Sequence, residues 1–386
     1  MPSILIVLIS IIYFVYHFLT MRAINTWSLL LIVVGFLFSA IYVIAWMPFA
    51  DSSLILTTFV TFVPLFLLVG IVRDAVPKLE KKCQAKIFDL TINYSIIALL
   101  VECYFRISKP FYSLSPGVNV SILEEQLKSI NFETFFTDGF YVYKSSSIMF
   151  FDSNYVGIFA LLILVFLFFA KSNIETERKR YNLKILVVIA LVLLSFSRAS
   201  IATLILLIAV EAFFFFKLKS TRLFYIYISS MTILVMTVLS FLSDYILNDP
   251  SFHTKLDIFR SLEKAADMTV SRLIFGFGFN GGAFVYSYLP GAYAHAAIPL
   301  ILGVAGLSGL VLIYGVMAFY TLKLGRSGLG LMIIIMINGF SILDPWQLMI
   351  YWGFAYMYSM NVGSFPPKTR IARNPTELKS ANHIFA

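Results

Sequence analysis

The stretch SFSRAS, residues 195–200, interrupts an apolar run from 183 to 216 in which Arg198 is the only basic residue after Lys184. A membrane-crossing helix needs about 20 apolar residues, within a range of about 17–25. The run is too long for one ordinary span, so it reads as two helices joined by a tight turn at its polar centre. That reading also places Arg198. An arginine at mid-bilayer costs about 2.5–3.5 kcal/mol on insertion scales. At the end of two helices it reaches headgroups or a polar cavity instead, either as an interfacial anchor or as a bidentate partner for phosphate.

The run 329–362 repeats the pattern, with LDPWQ at 343–347 in its middle. Pro345 has no backbone N–H to donate and disfavours helix at Asp344, which reads as a turn residue. Further spans are expected at 3–20, 27–47, 53–72, 87–107, 148–170, 223–242 and 297–320. The fold class is therefore an all-α integral membrane protein with about 11 transmembrane helices in residues 1–362 and a polar tail at 363–386. Composition agrees. Of 386 residues, 60% are hydrophobic and 13% charged, and the mean hydropathy is +0.89. A soluble domain has about 45–50% apolar and about 25% charged residues. The 39 Phe and 21 Tyr residues suit lipid contact and interfacial belts. The apolar N-terminus lacks a basic n-region and a small-residue cleavage site, and reads as a span rather than a signal peptide. Cys83 and Cys103 fall at opposite ends of one expected span, so no disulfide is expected.

The distribution of Lys and Arg sets an orientation. With the N-terminus outside and the C-terminus inside, 20 of the 29 basic residues fall in inside segments. The net charge of +9 then reflects retained cytoplasmic charge, not nucleic-acid binding. Two long outside loops result, at about 108–147 and 243–296. The first contains NVSILEEQLKSINFETFF, which reads as an amphipathic helix near the interface. Glu102 and Glu211 fall near span ends and are expected to snorkel.

The second loop carries candidate chemistry. Arg260 and Arg272 precede a glycine cluster, Gly276, Gly278, Gly281 and Gly282, which is expected to let backbone approach a bulky ligand. His295 follows, two residues before the next span, where a histidine serves either packing or proton transfer. At the start of an earlier span, Asp152 and Asn154 either cap the helix or hydrogen-bond a ligand. The outside segments hold no His/Asp/Glu cluster with metal-ligand spacing, so no metal and no other cofactor is expected.

Four segments together resemble the O-antigen polymerase and ligase family of membrane glycosyltransferases. They are LLSFSRASIATL (193–204), RLIFGFGFNGG (272–282), AHAAIPLILGVAGLSGL (294–310) and FFDSNYVGIFALL (151–163). They resemble the family's Ser-Arg turn between spans, its Arg-then-Gly-x-Gly loop, its loop histidine before an apolar helix, and its Asn near the start of an earlier span. Ala296 stands where many relatives carry Asn. The resemblance implies transfer of a glycan from an undecaprenyl pyrophosphate carrier at the periplasmic face of the bacterial inner membrane. It implies Arg198 and Arg272 on the pyrophosphate with Arg260 as a helper, either Arg260 or Arg272 being the loop arginine. His295 is implied as base, and Ser197, Asp152, Asn154, Gly276 and Gly278 as substrate contacts. Implied partners are the lipid-linked oligosaccharide, membrane lipids and a chain-length regulator protein, with no nucleic acid. Polymerase is preferred over ligase. A lipid-linked-sugar flippase is the competing class, and neither inverted repeats nor intramembrane ionisable residues are apparent in the sequence to favour it.

Overall fold

The computed structural model describes residues 2–20, 23–46, 52–108, 149, 153–174, 178–215, 250–287, 289, 293–340 and 345–362. The expected span at 223–242, the amphipathic segment of the first loop, Asp152, Asp344 and the tail at 363–386 lie outside the described residues. The described chain is helical with no strand. Its longer elements are α1 (Pro2–Leu19), α2 (Thr26–Trp46), α3 (Ser52–Ala75), α4 (Lys81–Ser108), α5 (Ser153–Asn173), α6 (Arg178–Leu193) and α7 (Arg198–Phe215). Three short helices follow, α8 (Pro250–Arg260), α9 (Val270–Phe275) and α10 (Gly278–Val285), with a 3₁₀ segment (Ser261–Asp267) between the first two. The chain continues through α11 (Ala297–Leu324), α12 (Arg326–Gly339) and α13 (Leu348–Val362). Among them α2, α4, α5 and α11 are long and apolar enough to cross a membrane.

The two long apolar runs do divide. Run 183–216 breaks between Leu193 and Arg198, and run 329–362 breaks between Gly339 and Leu348. α5 forms the centre of the bundle. It is apolar on every side, and a helix of that kind is stable only when surrounded. Accordingly Val156, Ile158 and every residue from Ala160 to Leu167 are buried. It packs against α4, α6, α7, α12 and α13, while α3 lies between α1 and α2 on one side and α13 on the other.

Side-chain contacts fix the two ends of the bundle. Asn154 at the start of α5 meets Ser197 in the α6–α7 turn, and Ser200 at the start of α7 meets Asn338 at the end of α12. At the opposite end, Glu211 pairs with Arg326 and the Tyr356 hydroxyl donates to Gln84 O at 2.9 Å. Lys184 and Asp89 bridge α6 and α4 at 2.5 Å toward this second end.

Two expectations change. Span 297–320 is not one straight helix. Gly306 sits at φ +63° inside α11 and interrupts it, in a conformation that L side chains rarely adopt. A Cβ there would lie within 2.5 Å of the Ile274 carbonyl carbon. The break frees backbone carbonyls, and two of those beside it have donors from other elements: the Tyr42 hydroxyl bonds Ala305 O, and Phe277 N bonds Gly303 O at 2.8 Å. Glu102 does not snorkel, whereas Glu211 stays partly exposed at a bundle end. Glu102 forms a fully buried ion pair with Arg106 at 2.8 Å and accepts Met149 N at 3.0 Å. Glu211 accepts the Arg326 Nε–H at 2.7 Å. A charge in an apolar interior demands such a partner. The cysteines are free thiols, Cys83 exposed and Cys103 buried.

Candidate functional site

The SFSRAS turn sorts its residues by direction. Ser195, Ser197 and Ser200 are fully buried, whereas Arg198, the first residue of α7, is exposed. The serines build a polar seam inside an apolar bundle. Ser197 Oγ donates to Asn154 Oδ1 at 2.7 Å. Ser200 Oγ donates to Asn338 Oδ1 at 3.2 Å, and Asn338 Nδ2 donates to Thr203 Oγ1 at 3.0 Å and to Ile334 O at 3.1 Å. Ser195 Oγ donates to Val192 O at 2.6 Å, closing the end of α6. Gly157 makes the approach of α5 possible, since a Cβ there would lie 2.6 Å from Ser200 Cβ and 2.9 Å from Ser195 Oγ. Ser153 Oγ is buried at the same level with no hydrogen-bond partner among the described residues.

The turn is also strained. Phe196 has φ +53° and is the one non-glycine residue with positive φ among the described residues. A bulky side chain in that region costs on the order of 1–3 kcal/mol and persists only where the surroundings over-determine it. Here the surroundings are the hydrogen-bonded serines on either side of Phe196. The seam thus holds the α6–α7 turn, and Arg198 is exposed beside it.

The segment 250–296 covers the same end of the bundle. Phe259 of α8 stacks on Phe340 at 4.7 Å, and Ile258 packs with Ala294 and Ala296. Lys264 Nζ donates to Val285 O at 3.2 Å, and the Tyr286 hydroxyl donates to Met268 Sδ at 3.2 Å. Burial pushes the Tyr286 phenol above its ordinary value, so it stays a neutral donor.

Two glycines of the cluster face this chain's own backbone. Gly276, at φ +71°, lies against Val304, and Gly282 lies against Gly303 and Val304. Gly278, at φ +84°, lies 3.5 Å from the Trp46 ring, measured from an added Cβ. The close approach that the glycines permit is therefore that of α9 and α10 onto the broken α11. Trp46 Nε1 secures the junction by donating to Phe275 O at 3.0 Å.

The expected cations are placed as follows. Arg272 is half-buried. Its Nη1 donates to Gly276 O at 3.4 Å, capping α9, and its guanidinium lies 5.0 Å from the Phe277 ring centroid. Arg260 is exposed and pairs with Asp257 at 3.2 Å. His295 is exposed at the entry to α11, its ring 5.6 Å from that of Tyr293. Among the described residues, no three His, Cys, Asp or Glu side chains converge.

The structure therefore brings Ser197 and Asn154 into contact and gathers Arg198, Arg260, Arg272 and His295 at one end of the bundle. Sequence reading missed Asn338, Thr203 and the buried pair Glu102–Arg106. A signal for Thr203 was present: 197, 200 and 203 recur every three residues and share one helical face. No protein-family model, curated protein or solved structure matches the chain.

Proposed function

We propose that the chain crosses the bacterial inner membrane eleven times and joins surface-polysaccharide repeat units, carried on undecaprenyl pyrophosphate, at its periplasmic face. The observation that carries this reading is the shared end of Arg198, Arg260, Arg272 and His295. These four come from different elements across about 100 residues, toward the end of the bundle where α5, α7 and α11 begin. Basic residues at the other end, among them Arg73, Lys78, Lys81, Lys82, Arg178 and Arg326, support placing that end in the cytoplasm.

In the proposed reaction the arginines hold the pyrophosphate, whose negative charge grows as the glycosidic bond to it breaks. Arg198 binds through a bidentate fork. Arg260 exchanges its exposed Asp257 partner for phosphate, at little cost because surface pairs are worth about 0–1 kcal/mol. Arg272 turns from Gly276 O to the same charge. His295 takes the proton from the acceptor hydroxyl as that oxygen bonds to the anomeric carbon. The glycan passes to the acceptor, and undecaprenyl pyrophosphate leaves.

The test is the lipopolysaccharide ladder of a deletion strain. A single-repeat product supports polymerase, and bare core identifies a ligase. Loss of outside repeat units identifies a flippase. Two observations favour that last reading as the alternative: the buried Glu102–Arg106 pair and the interrupted α11 are features on which transport sites are built.

A further inference from the structure

The end of the bundle opposite Arg198 contains an open hollow of about 540 Å³ lined by residues 23–27 and by Arg73, Asp74, Pro77 and Lys78. Its one acid is turned inward. Asp74 is buried and accepts hydrogen bonds from the Tyr13 hydroxyl, Lys78 Nζ at 2.6 Å and Asn25 N at 2.8 Å, with His17 Nε2 at 3.8 Å. Two cations line the hollow beside it, Lys78 paired with Asp74 and also donating to Ala23 O at 3.4 Å. The Lys78 side chain is 48% exposed, and the half-buried Arg73 guanidinium lies over the Tyr358 ring at 5.1 Å. The N-terminus of α2 ends at the same rim, with Asn25 Oδ1 capping Trp27 N at 2.9 Å. It adds partial positive charge. Among the described lining residues, Arg73 and Lys78 against Asp74 leave one net positive charge, in a space large enough for a phosphate group.

An apolar track leads away from it. Trp27 is 62% exposed at the hollow, and Leu30, Leu37 and Ile44 continue its line down the outer face of α2, all exposed. A tryptophan at the boundary between a cationic rim and an apolar helix face marks a membrane interface.

We propose that this hollow holds the phosphodiester headgroup of an anionic phospholipid, with the acyl chains lying along α2. The charge balance selects a monoanion over a zwitterion, and the track beside it selects a lipid over free phosphate. The site is independent of the reaction proposed for the Arg198 end.

The test uses the delipidated full-length chain in detergent micelles, offered equimolar phosphatidylglycerol and phosphatidylcholine and read by native mass spectrometry. Wild type is expected to retain phosphatidylglycerol at least about fivefold over phosphatidylcholine. Thr26→Glu puts an acid at the start of α2, where it suits the helix but repels phosphate, and should reduce the preference to near unity. Arg73→Gln should do the same, with circular dichroism and elution volume showing retained fold. If Arg73→Gln fails to fold, Thr26→Glu decides alone. Equal retention of the two lipids by wild type, or a preference kept in Thr26→Glu, overturns the proposal. sn-Glycerol 3-phosphate should not displace the lipid at equal concentration; displacement would make the hollow a soluble-phosphate site and overturn the lipid assignment.

Discussion

Gly282→Ala separates two meanings of the glycine cluster. An added Cβ at Gly282 would stand 2.5 Å from the Gly303 carbonyl carbon and from Val304 Cα, all of it rigid backbone. Ordinary contact begins near 3.4 Å, so α10 and α11 have to part by about 1 Å. Overpacking of this kind costs about 1–3 kcal/mol. The separation also strains the Phe277 N–Gly303 O bond of 2.8 Å, and a bond of that kind contributes about 0.5–1.5 kcal/mol. Against this, Ala in place of Gly favours helix by up to about 1 kcal/mol. The expected net loss lies between about 0.5 and about 4.5 kcal/mol, a fall of several degrees in the apparent unfolding midpoint of the detergent-solubilised protein. Gly281 supplies the control one residue away. It is exposed, and an added Cβ there would lie 3.9 Å from its nearest neighbour, Phe277 Cβ. Gly281→Ala should leave the midpoint unchanged or raise it. Equal midpoints for the two variants would refute the packing role. Lost glycan transfer at an unchanged midpoint in Gly282→Ala would return the glycines to ligand contact.

Three further outcomes are expected. Arg198→Lys should lose most glycan transfer at unchanged protein level, because lysine keeps the charge but not the bidentate fork; a normal polysaccharide ladder would reduce Arg198 to a lipid anchor. His295→Ala should lower turnover by about 10²–10⁴-fold, the contribution of a positioned base, with donor binding kept; alanine at His253, the histidine of α8 about 40 residues upstream, should be mild, both measured with purified protein and a synthetic lipid-linked donor. Near-normal turnover in His295→Ala, or an activity that requires an added divalent ion, would end the metal-free histidine mechanism. Asn338→Leu removes the partner of Ser200 and Thr203 inside the seam, and leaving a buried polar group unsatisfied costs about 1–3 kcal/mol. Thermal unfolding in detergent should show that loss, whereas Asn338→Gln should lose less if the longer amide still reaches either hydroxyl, and an unaltered midpoint in Asn338→Leu would exclude a structural role for the seam.

Hydropathy alone determined that the chain is helical and apolar, and it located both breaks, at SFSRAS and before Pro345. Those features are local: helix length follows from counting apolar residues, and a proline or a polar cluster ends a helix whatever surrounds it. Ser197 and Asn154 were expected as substrate contacts; that they bond each other was not legible in the sequence. Tertiary structure decided which way each polar residue points. The serines of SFSRAS turn inward because Asn154 and Asn338, 43 and 138 positions distant from Ser197 and Ser200, complete their hydrogen bonds. Arg198, one residue along from Ser197, is exposed instead. The glycines at 276 and 282 looked the same in sequence whether they admitted a ligand or a helix; only the presence of Gly303 and Val304 against them distinguishes the two. Gly306 likewise gave no local sign that it, rather than Gly303, Gly309 or Gly315, breaks α11, because a glycine within an apolar helix is tolerated. The break is stable because Tyr42 and Phe277, remote in sequence, supply donors to the carbonyls it frees. Glu102 and Arg106 show the same dependence, a pair one helical turn apart whose burial follows from the packing of α4 into the bundle.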